Sequence, residues 1–136
     1  MTATQQIKDQ LIFYLGVNTP DDSISIVDAR QRAEIELPTL TVDVVGTAAH
    51  STTLSNVTTG QAQIVLRHHA GDESEADIPT WIDCLESLFF DKSAMVEILN
   101  TDGVLFFDWN YNGSTQDFDD AILEVTFTVD ILFGRL

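Results

Sequence analysis

His68 and His69 stand side by side just ahead of an acidic run, Asp72, Glu73, Glu75 and Asp77. Imidazoles and carboxylates in one short stretch are the ingredients of a metal centre or an acid–base pair. The spacing argues against it. Neighbouring residues on a strand point to opposite faces, so the two imidazoles cannot readily share an ion. The simpler reading is a strand end followed by a solvated acidic turn. Asp117-Phe118-Asp119-Asp120 has the carboxylate density of a calcium loop but lacks the glycine and the closing glutamate at the required offsets. It reads as a charged approach to the strand that follows. Cys84 is alone, which rules out an intrachain disulfide framework or a cysteine-rich metal site. Its place beside a helical apolar stripe suggests a buried thiol rather than an activated one. Ser51 and its threonine-rich surroundings contain no nucleophile elbow, and no glycine-rich phosphate loop occurs. No catalytic, cofactor-binding or metal-ligating residue is assigned, and no cofactor and no enzymatic activity are expected.

The elements around these residues follow from periodicity. The longest is Ala121 to Phe133, where Ala121, Leu123, Val125, Phe127, Val129, Ile131 and Phe133 alternate with a more polar set, Ile122, Glu124, Thr126, Thr128, Asp130 and Leu132. Period-two alternation marks a strand with one face in a core. Thirteen residues at about 3.3 Å each would reach roughly 40 Å, against a usual strand of about 5–6 residues. Such a strand is either the spine of the sheet or has an end that projects and is covered by another copy; both are expected.

Thr4 to Leu15 predicts a helix, with Ile7, Leu11 and Tyr14/Leu15 on one side and Gly16 as a stop. A short strand over Ser23–Val27 follows the turn at Asn18–Asp22, and 28–37 reads as a loop or a frayed helix. Pro38 opens a strand from Leu40 to Val45. Gly46 to Gly60, rich in Ser, Thr and Ala, reads as a long hairpin tip, and Gln61 to His69 is the return strand. Asp77 is placed to cap a helix, Ile78 to Phe89, whose stripe is Ile78, Trp81, Ile82, Leu85, Leu88 and Phe89. A second short helix runs from Asp91 to about Leu99. Val104 to Trp109 is apolar on both faces, which predicts a central or doubly covered strand. Asn112-Gly113 is a turn signal closing the last hairpin. The fold expected is α+β: one domain over 1–136, a mainly antiparallel sheet of four or five strands, helices on one face, and a long hairpin insertion.

Composition sets the partners. The chain carries 22 acidic and 6 basic side chains, a formal net charge of -16, with 44% hydrophobic residues and eight Phe. It has the apolar content of a packed domain, not a disordered one. Its charge repels phosphate backbones and anionic membranes, so neither specific nucleic-acid binding nor membrane association is expected. The N-terminus has no signal-peptide pattern, and no run approaches about 18 apolar residues.

The layout of an N-terminal helix, the Leu37-Pro38-x-Leu40-x-Val42 entry, the Gly46–Gly60 hairpin, an amphipathic helix and a closing hairpin resembles the tail terminator (tail completion) proteins of long-tailed bacteriophages. In that closing hairpin Phe106-Phe107-Asp108-Trp109 leads to the alternating strand. The likeness covers most of the chain as pattern rather than as a signature motif, and 28–37 has no ready place in it. It implies a structural virion protein at the head-proximal end of the tail, assembled in the host cytoplasm. There a hexameric ring would cap the tail tube, end its polymerisation and meet the head connector. The partners implied are further copies of the chain, the tube protein and the connector or neck protein, with DNA passing through the ring. Interface residues expected are His50, Thr53, Leu54 and Val57 on the long hairpin, Trp109 and Tyr111 as aromatic anchors, and Ile131 and Phe133 at the strand end. Two other readings stay open. One is a different connector or tube-like protein of the same particle. The other is a small acidic metal-dependent enzyme using His68 or His69 with the carboxylates of 72–77.

Overall fold

Six of the seven alternating residues of the last segment are enclosed, Leu123, Val125, Phe127, Val129, Ile131 and Phe133, with Ala62 of the neighbouring strand opposite Val129; Ala121 is exposed. The computed structural model describes residues 2–30, 37–49, 57–69, 77–101, 103–119 and 121–135. The elements are α1 (Ala3–Val17), β1 (Ser25–Asp28), β2 (Thr39–Ala49), β3 (Val57–His69), α2 (Ile78–Phe90), α3 (Lys92–Leu99), β4 (Val104–Asp119) and β5 (Ile122–Arg135). They form one five-stranded sheet in the order β1-β2-β3-β5-β4. Every pairing is antiparallel except β1 with β2. The expected α+β class, mainly antiparallel sheet and single helical layer are what the molecule has.

The helices cover one face because each carries an apolar stripe. Ile7, Leu11 and Leu15 line the inner side of α1; Ile78, Trp81, Ile82, Leu85 and Phe89 line α2; Met95 and Leu99 line α3. These pack on Leu40, Val42, Val44, Ile64, Leu66 and the β5 row. Thr2 caps α1, its side chain accepting from Gln5 N–H at 3.1 Å, and Asp91 caps α3, accepting from Ala94 N–H at 3.2 Å. Asp77 precedes α2, but its carboxylate makes no capping bond, contrary to expectation. Gly16 does not stop α1, which ends at Val17 with Asn18 as its C-cap.

β5 is an unbroken spine between β3 and β4, as its alternation predicts. The expectation that one end projects is not met, because its helix-facing residues are buried along the whole length within this chain. The surplus length lies at the margins instead. β4 is a sixteen-residue edge strand, so the double-sided apolar run Val104–Trp109 is neither central nor doubly covered. Leu105 and Phe107 are consequently exposed.

Asn112-Gly113 is not a turn. The β4–β5 register shifts between Phe106 and Asp108 and again between Tyr111 and Gly113, and Gly113 takes φ +110° at the second bulge. β5 holds its partner past that point, and the chain reverses in two residues between the paired Asp119 and Ile122, with Ala121 at φ +69°. Asp117–Asp119 is therefore the end of β4 rather than an approach to the last strand, and Asp120 lies outside the described residues.

The β2–β3 hairpin is also longer than its composition indicates. Gly46 and Gly60 are paired with each other inside it, and its apex at 50–56 lies outside the described residues. Gly60 is there because nothing else fits. A Cβ at Gly60 would sit 2.7 Å from the Val45 carbonyl oxygen and 3.1 Å from the Phe133 ring. Backbone cannot yield as a side chain does, so Gly60→Ala is expected to lower stability by about 1–3 kcal/mol. Urea unfolding reads this directly: a shift in midpoint without a change in slope.

Candidate functional site

The histidines do not assemble a metal centre. His68 lies on the helix-facing side of β3, buried, with its ring 5.5 Å from that of Trp81. Its Nδ1 is 2.7 Å from the His69 carbonyl oxygen. A carbonyl can only accept, so His68 carries a proton on Nδ1. His69 is exposed on the opposite face. Asp72, Glu73 and Glu75 lie outside the described residues, as does Ser51, and Asp77 is exposed. Among the described residues, no group of three or more His, Cys, Asp or Glu side chains could hold a metal ion. Cys84 is half-buried on α2 rather than enclosed.

Of the expected interface residues, His50, Thr53 and Leu54 lie outside the described residues. Val57, Trp109, Ile131 and Phe133 are buried within their own subunit. The reason is register. Trp109 pairs with Ile131, and Phe106 with Phe133, all on the face beneath the helices. Trp109, 1% exposed, donates from Nε1 to the Phe89 carbonyl at 2.8 Å, so the indole ties the end of α2 to β4. It is a core residue, not a surface anchor. Tyr111 is half-buried. Its hydroxyl donates to Glu86 Oε2 at 2.7 Å, and its ring meets Phe90 edge-on at 4.9 Å. Burial, and after it the bond to Glu86, push the Tyr111 phenol well above its ordinary pKa, while Ser114 acts weakly the other way. It therefore stays a neutral donor to Glu86.

What the fold does offer is edge and open face. Among the described residues, β4 has no neighbouring strand on its outer side. Among the described residues, the large exposed hydrophobics are Phe13, Val17, Val45, Phe90, Leu105, Phe107 and Phe118. Leu105, Phe107 and Phe118 lie on β4, and Phe90 packs beside it on Tyr111. A long edge strand carrying apolar side chains is a template for another strand, which natural monomers blunt. At the other margin β1 pairs only with Thr39–Val42, so no strand among the described residues lies against the outer side of β2 from Asp43 to Ala49. Exposed Val45 sits in that stretch.

The sheet face away from the helices carries Asp43, Gln61, Gln63, Arg67, Asp108, Asp117, Glu124, Thr126, Thr128 and Asp130. Arg67 Nε donates to Glu124 at 2.9 Å, and Lys92 from α3 reaches Asp108 at 2.7 Å. The remaining carboxylates leave the face negative.

One ionic cluster has no counterpart in the sequence reading. Lys8, on the inner side of α1, is 1% exposed and sits 3.1 Å from Asp28 and 3.4 Å from Asp43. Burial pushes the Asp28 carboxyl up. Hydrogen bonds from Arg30 N–H, Lys8 and Gln5, with the Lys8 charge, more than offset it and hold the carboxyl below its usual range. The available signal was a lysine one residue past Ile7 and three before Leu11, inside the apolar stripe. The cluster fastens α1 to β1 and β2.

No helix among the described residues is long and apolar enough to cross a membrane. No protein-family model matches the sequence, and no curated protein matches it.

Proposed function

We propose that the chain is a structural assembly protein that self-associates through its sheet margins into a closed ring. In the particle this ring caps a phage tail tube, halts its growth and meets the head connector. The observation that carries the self-association is the β4 edge, sixteen residues long and carrying exposed Leu105 and Phe107, with exposed Phe90 packed beside it. The free stretch of β2 lies at the opposite margin of the same sheet, so contact between the two margins is heterologous, the kind of contact a ring requires. The place on a tail rests on the resemblance of the chain's layout to tail terminator proteins. The negative open face suits a channel wall, since it repels passing DNA.

Light scattering and negative-stain electron microscopy test the reading. Closed rings of uniform size are expected from the purified chain at micromolar concentration. Replacing Leu105 and Phe107 together by lysine is expected to give monomers with an unchanged circular-dichroism spectrum, because both side chains are solvent-facing in the subunit. A wild-type chain that stays monomeric at high concentration overturns the ring. Open tubes instead of rings would move the reading to a tube-forming component.

A further inference from the structure

At the far end of the β4–β5 hairpin, away from Leu105 and Phe107, lies a groove of about 340 Å³. Ile78, Pro79, Ile82 and Asp83 of α2 form one wall; Gln116, Phe118 and Leu123 form the other. It exists because the hairpin continues past the helix that covers it. Phe118 and Leu123 are direct partners on the helix-facing side. Leu123 is buried against the core, but Phe118 remains 64% exposed at the lip. The floor is thus apolar, Ile78, Ile82 and Leu123 being buried. The rim is acidic or neutral: Asp83 and Gln116 are exposed, and among the described residues no basic side chain lines the groove.

We propose that this groove docks a segment of another protein, through one large apolar side chain flanked by lysine or arginine. The volume suits a single Phe or Leu side chain, the usual scale of an anchor in a pocket. The rim selects the flanks, because a cation beside the anchor meets Asp83 and acidic flanks are repelled.

Among the described residues, no exposed large hydrophobic side chain of this chain stands directly beside a lysine or arginine. Lys8, Arg67 and Lys92 are held in ion pairs, and Arg30 reaches towards Asp43. Exposed Phe107 precedes Asp108, and exposed Phe90 precedes Asp91. The segment leading into α2, residues 70–76, contains no apolar residue larger than alanine. A second copy would also bring its own net charge of -16 against the rim. The charge pattern therefore favours a basic partner.

Isothermal titration calorimetry on the full chain, in its native assembly state, tests this with three blocked pentapeptides. These are Lys-Arg-Phe-Arg-Lys, the same peptide with serine for phenylalanine, and Glu-Glu-Phe-Glu-Glu. The serine peptide controls for non-specific attraction to an acidic surface. The first peptide is expected to bind at least tenfold more tightly than the second, with no detectable binding of the third. Asp83→Lys is expected to weaken the first peptide at least fivefold, and Phe118→Ser to remove its advantage over the second. Both sites are solvent-exposed, so the fold is retained. Equal binding of the first two peptides overturns the proposal, as does an advantage for phenylalanine that survives Phe118→Ser. A fall in particle size on Phe118→Ser without any peptide discrimination would show the groove to be filled by a second copy, which also overturns it. Ring formation is scored separately with the Leu105 and Phe107 variant, so either reading can fail alone.

Discussion

Lys8→Ala is expected to lower the stability of the fold by about 3 kcal/mol, the lower end of what breaking a buried ion pair costs. The lower end applies because Asp28 retains 11% of its side-chain exposure and Asp43 34%, so water recovers part of the loss. The cost arises less from the lost attraction than from what remains: a carboxylate facing the underside of α1 with its cation gone. Lys8→Met combined with Asp28→Asn is expected to recover more than half of that loss. It removes both charges while Asn keeps an acceptor for Arg30 N–H. Chemical denaturation of the two variants and the wild type decides the matter. A double variant no more stable than Lys8→Ala would mean that the carboxylate left without its cation is not the source of the cost.

The same cluster has a pH signature. Asp28 has a lowered pKa in the folded chain, so its contribution is fully present above the ordinary carboxylate value and is lost as pH falls through the folded one. The gap between wild type and Lys8→Ala is therefore constant near neutrality and narrows below about pH 4. A gap that widened on acidification would contradict the assignment.

Trp109→Ala is the second large effect, expected at about 3–5 kcal/mol for emptying a fully buried aromatic site. Phe89 at 6.1 Å and Phe106 at 6.5 Å between ring centres lose their shared neighbour. The Phe89 carbonyl loses its indole donor at the end of α2, where the helix itself provides none. Trp109→Phe separates the two contributions: it keeps most of the apolar volume and is expected to cost about 1–2 kcal/mol, chiefly for the orphaned carbonyl. Thermal unfolding followed at both variants measures the split.

Local periodicity made β5 and α2 readable from sequence, because alternation and the three-and-four spacing are properties of neighbouring residues. The errors came where distant partners decide. Asn112-Gly113 has the composition of a tight turn, yet the pairing of Ser114–Asp119 with Ile122–Phe127 holds the strand straight and turns the glycine into a bulge. Val104–Trp109 reads as central because both faces are apolar, but no single segment reveals whether a neighbour lies beyond it. Trp109 followed from the same gap, since a strand-end aromatic and a core aromatic look alike until the register is known. Lys8 is not legible as an ionic centre in the sequence, because one lysine in an apolar stripe is usually a side chain that extends to water, and only the fold brings Asp28 and Asp43 to it.

The order of the strands also determines what a row of such subunits would look like. β1 and β2 run one way, β3 the other, β5 the first way again and β4 the second. A copy set beside another without being turned over therefore meets it with opposed strand directions, β4 descending against an ascending β2. The alternation inside one subunit would pass across the seam unbroken. The two bulges in β4, after Phe106 and after Tyr111, fall in the stretch that carries exposed Leu105 and Phe107, so the free residues of β2 from Asp43 to Ala49 would meet a twisted join. Seven residues at about 3.4 Å each make a seam of roughly 24 Å, and its tilt, set by that twist, would fix how many subunits complete the circle.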